Sequence, residues 1–254
     1  LSSGNTPAGL PDPVLKLDAS TLEEGSLLEW TNAGTLGGKF NAVGLVAQPS
    51  VQEVAGEVGL TLTDASGYIS NFTVPPSVHG NNPFTVYFRA YNPTNPGPAV
   101  EEPVLEWAPR GGPNGTYAYV GYGTQTDWGA VAHWGSNDFS WNAEQYPPAG
   151  QWHEFVLVHD GAQERLYVDG QVLLTRDHTL NLNYTADDQA DDQYKYKGPY
   201  NFRFGTTQNG EYRATLTVSV LEMFSAALTP EQIAQLPAGP VEIPNAVRNW
   251  TLFD

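Results

Sequence analysis

The sequence predicts an all-β protein, a two-sheet antiparallel β-sandwich with one short C-terminal helix. Three observations carry that prediction. Apolar and polar residues alternate with period two in segment after segment, as where Phe84, Val86 and Phe88 fall on one face of a strand. The 26 Gly and 20 Pro, with no low-complexity tract, point to many short strands joined by turns. With 254 residues, 40% hydrophobic and 12% aromatic, the chain is long enough to bury one large core without staples.

Taken in order, residues 1–13 are rich in Ser, Gly, Asn and Pro and are expected to be a leader or linker. Residues 14–236 are expected to form the sandwich. Val14–Asp18 reads as its first strand, and Leu27–Trp30 as a second leading into the Gly-rich loop Asn32–Gly38. Val58–Thr63 and Tyr68–Val74 alternate as half-buried strands do. Pro83–Ala90 is a strong strand. Beyond the Pro-rich loop 92–103, strands are expected at Val104–Trp107, Tyr117–Tyr122 and Gly129–Trp134. Trp152–His159 and Arg165–Val168 form a hairpin. Gln171–Thr175 follows across Asp169-Gly170, a pair suited to a type I′ turn because both residues tolerate positive φ. Asn181–Lys197 is a long polar loop, after which Tyr200–Gly205 and Thr215–Phe224 close the sheets. Thr229-Pro-Glu-Gln places an N-cap Thr before Pro at the first helical position, so a helix is expected over Pro230–Leu236. Residues 237–254 are expected to be a tail that adds an edge strand near Asn249–Phe253.

The net charge of −17, with 11 Lys+Arg, makes nucleic acid a poor partner, because phosphates need clustered cations. Anionic membrane is disfavoured for the same reason, and the sequence has no apolar run long enough to span a bilayer. The absence of Cys excludes a disulfide scaffold and any thiolate metal site. N-x-[ST] sequons occur at Asn71, Asn114, Asn183 and Asn249; they are acceptors only in a eukaryotic secreted protein.

Gly150-Gln-Trp-His-Glu-Phe-Val-Leu-Val-His-Asp-Gly161 followed by Arg165-Leu-Tyr-Val-Asp-Gly170 resembles the signature hairpin of laminin-G-like and concanavalin A-like jelly-roll domains. Asn201-Phe-Arg-Phe-Gly205 and the later Leu228-Thr-Pro-Glu231 resemble the closing strand and small helix of that family. Leu15-Lys-Leu-Asp18 and Leu28-Glu-Trp30 match its opening, so the resemblance covers roughly residues 14 to 236. It implies a jelly roll, and a family that includes lectin-like modules with and without calcium, adhesion domains, and hydrolases or lyases of polysaccharides. Fold alone does not choose among these.

Candidate ligand-binding residues come from ring density. Tyr117, Tyr119, Tyr122, Trp128, Trp134, Phe139, Trp141 and Tyr146 crowd into residues 117–146, interleaved with Asp127, His133, Asn137, Asp138 and Asn142. Flat rings stack on the apolar faces of sugars while polar groups meet hydroxyls. Trp128, Trp134, Trp141 and Tyr122 are expected to line a groove, with His133, Asn137 and Asp138 bonding the ligand. Strand alternation puts Ala130, Ala132 and Trp134 on one face, Val131 and His133 on the other. The acidic loop residues Asp187, Asp188, Asp191 and Asp192 are the candidate calcium ligands, since Ca2+ takes six to eight oxygens. Asp64 is a further possible ligand, or simply a turn former.

The resemblance also calls for a test of catalysis. The Glu-x-Asp-x-x-Glu pattern of related hydrolases is absent; the nearest pair, Glu102 and Glu106, would sit about 13 Å apart along a strand at ~3.3 Å per residue. Hydrolase carboxyls lie roughly 5 to 9.5 Å apart. Tyr196-Lys-Gly-Pro-Tyr200 is similar to a jelly-roll alginate lyase motif, which would give Tyr200, His133 and Lys197 catalytic parts. Its spacing is off by one, that family's Arg-rich strand is missing, and the charge of −17 repels a uronate polymer. The histidines, 79, 133, 153, 159 and 178, are scattered and suggest no metal cluster. The expected function is a non-catalytic glycan-binding module of a secreted protein, monomeric or part of a larger multidomain chain, with a poly- or oligosaccharide partner. A polysaccharide lyase or glycoside hydrolase on the same fold, and a structural or adhesive domain without sugar affinity, are the alternatives.

Overall fold

The computed structural model of the protein describes residues 9–44, 47–93, 101–110, 113–182, 200–210 and 213–236. In chain order the strands are β1 (Leu15–Asp18), β2 (Gly25–Ser26), β3 (Glu29–Thr31), β4 (Lys39–Val43), β5 (Ser50–Val54), β6 (Glu57–Thr61), β7 (Gly67–Thr73) and β8 (Phe84–Tyr91). They continue as β9 (Pro103–Ala108), β10 (Ala118–Gly121), β11 (Val131–Ala132), β12 (Trp152–His159), β13 (Gln163–Val168), β14 (Gln171–Asp177), β15 (Asn201–Phe204) and β16 (Thr217–Phe224). A nine-stranded sheet runs β14-β13-β12-β8-β16-β6-β5-β2, with β1 also paired to β16; a seven-stranded sheet runs β11-β10-β9-β15-β7-β4-β3. The strand pairs are antiparallel, and the two sheets face each other as a jelly-roll sandwich.

Alternation decides which side chains meet between the sheets. On β8, Phe84, Val86, Phe88 and Ala90 enter the main core. Phe88 stacks on Phe155 of β12 at 4.6 Å between ring centroids. Tyr87 points the other way and joins Val156, Val158, Val220 and Phe224 on the outer face of the nine-stranded sheet. That face is covered by Leu228, Ile233 and Leu236 around the short helix α1 (Pro230–Ile233). Full burial of such side chains stabilises by about 1.5–3 kcal/mol each. The helix starts as the sequence predicts: Thr229 Oγ1 accepts from the Gln232 N–H, and the Gln232 side chain accepts from the Thr229 N–H.

The β13–β14 turn is also as predicted, with φ of 48° at Asp169 and 81° at Gly170. A matching turn at Ala55 and Gly56, φ 49° and 82°, joins β5 to β6; β5, like β4, is not evident from the sequence pattern. Leu27–Trp30 is not one strand. Its neighbours Gly25–Ser26 pair with β5 in one sheet, while Glu29–Thr31 pair with β4 in the other. The strand expected over Gly129–Trp134 is only Val131–Ala132. Trp134 adopts a φ of 79°, which turns the chain off the sheet. Phe139 then returns to bridge Val131. The expected helix ends earlier than predicted, at Ile233, and residues 1–8 and 237–254 lie outside the described residues.

Candidate functional site

The outer face of the seven-stranded sheet carries a second aromatic cluster. Tyr117, Tyr119 and Ala132 are buried there, with Trp128 and Trp134 packed against them. Ala118 and Val120, the intervening residues of β10, point into the main core. Above this cluster lies a groove of about 770 Å³. Trp128 and Trp134, both half-buried, flank it; Tyr117 and Ala132 lie at its base, and Glu101, Arg110, Ser136 and Arg176 contribute polar groups.

A chain of contacts fixes these groups. The Trp128 indole N–H donates to Glu101 Oε1 at 2.7 Å. The same oxygen lies 3.7 Å from Arg110 Nη2. The Arg110 guanidinium lies 5.6 Å from the centroids of both Tyr117 and Trp134. Tyr117 and Trp134 meet edge to face at 6.4 Å. One charged pair thus orients rings on both sides of the groove. Asp138 Oδ1 accepts from the backbone N–H of His133 and of Trp134, both at 2.6 Å, and so holds the tight bend that presents the Trp134 ring. Burial raises the Asp138 carboxyl above its usual range, against the lowering effect of those two N–H groups.

Of the predicted ligand-binding residues, the structure brings Trp128, Trp134 and Asp138 to the groove. Trp141 is not there. It is 1% exposed, donates to the Gly123 carbonyl and packs between Tyr122, Tyr146 and Phe155, because its loop folds back into the core. Tyr122 has the inward parity of Ala118 and Val120 and is fully buried, its hydroxyl on the Pro147 carbonyl. His133 has inward parity too and is fully buried. Asn137 is half-buried and reaches the Thr179 carbonyl rather than the groove. Arg110, Glu101 and Arg176 were missed; a lone Arg in an acidic chain gives no periodic signal, and only strand order brings it over the rings.

The carboxylates considered for catalysis are buried in the scaffold. Glu106 is fully buried; it accepts from the hydroxyls of Tyr200 and Tyr117 and from the Gln208 N–H, with Arg203 3.8 Å away. Burial raises its carboxyl despite these partners. Glu102 is spent on the N–H and hydroxyl of Thr215. Tyr200 and His133 do not form a proton-exchange pair: the first is held by Glu106, the second by Glu164. Lys197 and the proposed calcium ligands Asp187, Asp188, Asp191 and Asp192 lie outside the described residues.

Three of the five histidines, His133, His159 and His178, come together in space. His133, at the end of the seven-stranded sheet's edge, faces Glu164 of β13 and His178, just past β14. His133 Nε2 and His178 Nε2 lie 2.8 and 2.9 Å from the same oxygen, Glu164 Oε2. His133 Nδ1 lies 2.8 Å from the Tyr117 carbonyl. His159 stands opposite Glu164 in the β12–β13 register, with its ring 5.9 Å from that of His178. Burial would raise Glu164, but His133 and His178 more than reverse this and hold it at about 2. Burial would lower His133, and Glu164 reverses that in turn. Among the described residues, His133, Glu164 and His178 are the group whose ligating atoms all lie within 4.8 Å of one another.

A family model described as the concanavalin A-like lectin/glucanases superfamily matches residues 64–234. The protein belongs to that superfamily, as the sandwich and its closing helix also indicate. Among solved structures it is similar to domain 4 of AbnA, a GH43 extracellular arabinanase from Geobacillus stearothermophilus, solved in complex with arabinotriose. The TM-score is 0.56 at 15% identity, over 89% of this chain and 98% of that one. It is similar to the binding domain of botulinum neurotoxin serotype D, with TM-score 0.54 at 9% identity over 89% of this chain and 51% of that one. Trypanosoma rangeli sialidase, in complex with 2,3-difluorosialic acid, gives 0.54 at 16% identity over 89% of this chain and 32% of that one. At these identities the likeness establishes the fold alone. The chain spans about half of the toxin domain's length and a third of the sialidase's. A search of curated proteins gave no match.

Proposed function

We propose that the protein is a non-catalytic glycan-binding module that holds a poly- or oligosaccharide in the groove between Trp128 and Trp134. The observation that carries this is the groove itself: two half-buried indoles over a base of Tyr117, with Arg110, Glu101, Ser136 and Arg176 beside them. Rings of this kind take the apolar face of a pyranose or furanose, and the polar groups take its hydroxyls. The arabinotriose complex of the similar arabinanase domain supports the reading by analogy of fold. Glu102 and Glu106 are buried, committed to internal hydrogen bonds and outside the groove, whose lining carboxylates are Glu101, Asp127 and Asp138. A secreted setting belongs with this reading.

The test is a panel of neutral and acidic polysaccharides, followed by pull-down, reducing-end assay and absorbance near 235 nm. Capture without product is expected. Trp134→Ala and Trp128→Ala should each weaken binding by about 1–3 kcal/mol, roughly 5- to 150-fold. New reducing ends would mean a hydrolase, and a rise at 235 nm a lyase. Silence in every channel, or full affinity in both tryptophan variants, would sink the groove as a sugar site.

A further inference from the structure

We propose that His133, Glu164 and His178 form a binding site for a divalent transition-metal ion of the zinc type, one that ties the edge of the seven-stranded sheet to the edge of the nine-stranded sheet. The chemistry of the donors comes first. Two imidazole nitrogens and a carboxylate oxygen converge within 4.8 Å, a set suited to Zn2+ rather than to Ca2+, which prefers oxygen alone. The Tyr117 carbonyl takes the Nδ1–H of His133 at 2.8 Å, so Nε2 is the nitrogen that faces Glu164, and its proton leaves when an ion takes that place. A backbone carbonyl on the far nitrogen is the usual way a metal-bound imidazole is oriented. The two Nε2 atoms lie 2.8 and 2.9 Å from Glu164 Oε2, and a tetrahedral ion with bonds of 2.0–2.1 Å separates its ligands by about 3.3 Å.

An independent observation points the same way. One carboxylate oxygen serves both imidazoles, while the other, Glu164 Oε1, is buried with no hydrogen-bond partner among the described residues. His178 Nδ1 and His159 Nδ1 are in the same condition. Three such atoms around one fully buried carboxylate are expensive, at about 1–3 kcal/mol each. A cation bound by both carboxylate oxygens and the two Nε2 atoms gives Oε1 a partner. His159, beside Glu164 in the strand register, is close enough to the cluster to shape the remaining coordination. The placement also has a use. Val131–Ala132 is the outermost strand of one sheet and Gln171–Asp177 of the other, and His133 and His178 follow directly on each. In a chain with no Cys, an ion here takes the part a disulfide would take.

The experiment uses the whole chain, stripped with chelator and titrated with Zn2+ alone. Native mass spectrometry should show one bound ion. The melting midpoint should rise by about 5–10 °C at a hundredfold excess over Kd, and chelator should reverse the shift. Histidine-labelled protein should show changed Nε2 resonances for two of its five imidazoles, a readout that needs no variant. Glu164→Gln, and His178→Gln at the less buried corner, should each weaken zinc by more than about 100-fold, beyond the loss of an outer hydrogen bond. No bound ion, or no change in any imidazole, overturns the site. So does zinc binding of equal strength in both variants, which would place the ion elsewhere on this acidic chain.

Discussion

Trp134 and Trp141 stand seven residues apart in the same aromatic-rich stretch, and they have opposite fates. Trp134 sits on the outer face of the seven-stranded sheet beside Arg110, half-buried at the groove wall. Trp141 is sealed between the sheets against Tyr122 and Phe155. The difference lies in the backbone between them. The positive φ at Trp134 ends β11, and the chain doubles back so that Phe139 and Trp141 close the core from the side. Ring density thus marks where a site and a core share one segment, and strand parity sorts one from the other.

The largest effect that follows is on stability. Trp141→Ala should cost about 3–5 kcal/mol, because it empties a buried ring site, while Trp134→Ala should cost about 1 kcal/mol. Urea unfolding of both checks this; equal losses would erase the distinction between wall and core. Next is Tyr200→Phe, which removes a hydroxyl donor from fully buried Glu106 and should cost about 1–3 kcal/mol with glycan affinity unchanged, since Tyr200 does not line the groove. A loss of affinity at full stability would move Tyr200 from scaffold to site. The smallest effect is a pH dependence. His153 places Nδ1 2.6 Å from Asp169 Oδ2 and Nε2 2.9 Å from the Pro148 carbonyl, so both nitrogens donate and the ring is held as imidazolium. Burial pulls its pKa down, but Asp169 together with the Pro148 carbonyl more than offsets this, and the folded value lies above the ordinary 6.5. Its contribution is therefore complete below pH 6.5 and is lost as pH rises through the folded value. His153→Gln should narrow its stability deficit between pH 5.5 and 8.5; a constant deficit would show that the ring is not held charged.

Local signals carried most of the fold. Period-two alternation located β6, β7 and β8, and Asp169-Gly170 and Thr229-Pro230 located a turn and a helix start, because each is decided by a few adjacent residues. Lys39–Val43 and Ser50–Val54 escaped because each buries a single residue fully and shows no clear alternation. The groove was half legible. Trp128 and Trp134 stood out as rings in a polar context, but Tyr122, Trp141 and His133 depend on parity and on a loop that folds inward. The meeting of His133, Glu164 and His178 was not legible at all. It arises from a strand edge of one sheet facing a strand edge of the other, and no spacing within the chain records which edges face.

The bend at Trp134 has a consequence for how this protein changes under selection. A non-glycine residue at φ 79° carries a backbone cost of about 1–3 kcal/mol, and glycine would relieve it. Glycine would also delete the ring that walls the groove. A screen for thermal resistance alone gains at the backbone what it loses at the ring, and so is free to drift away from tryptophan. A screen for ligand capture is not. Position 134 is thus a place where robustness and recognition pull apart, and variants hardened for heat should be checked there first for lost affinity.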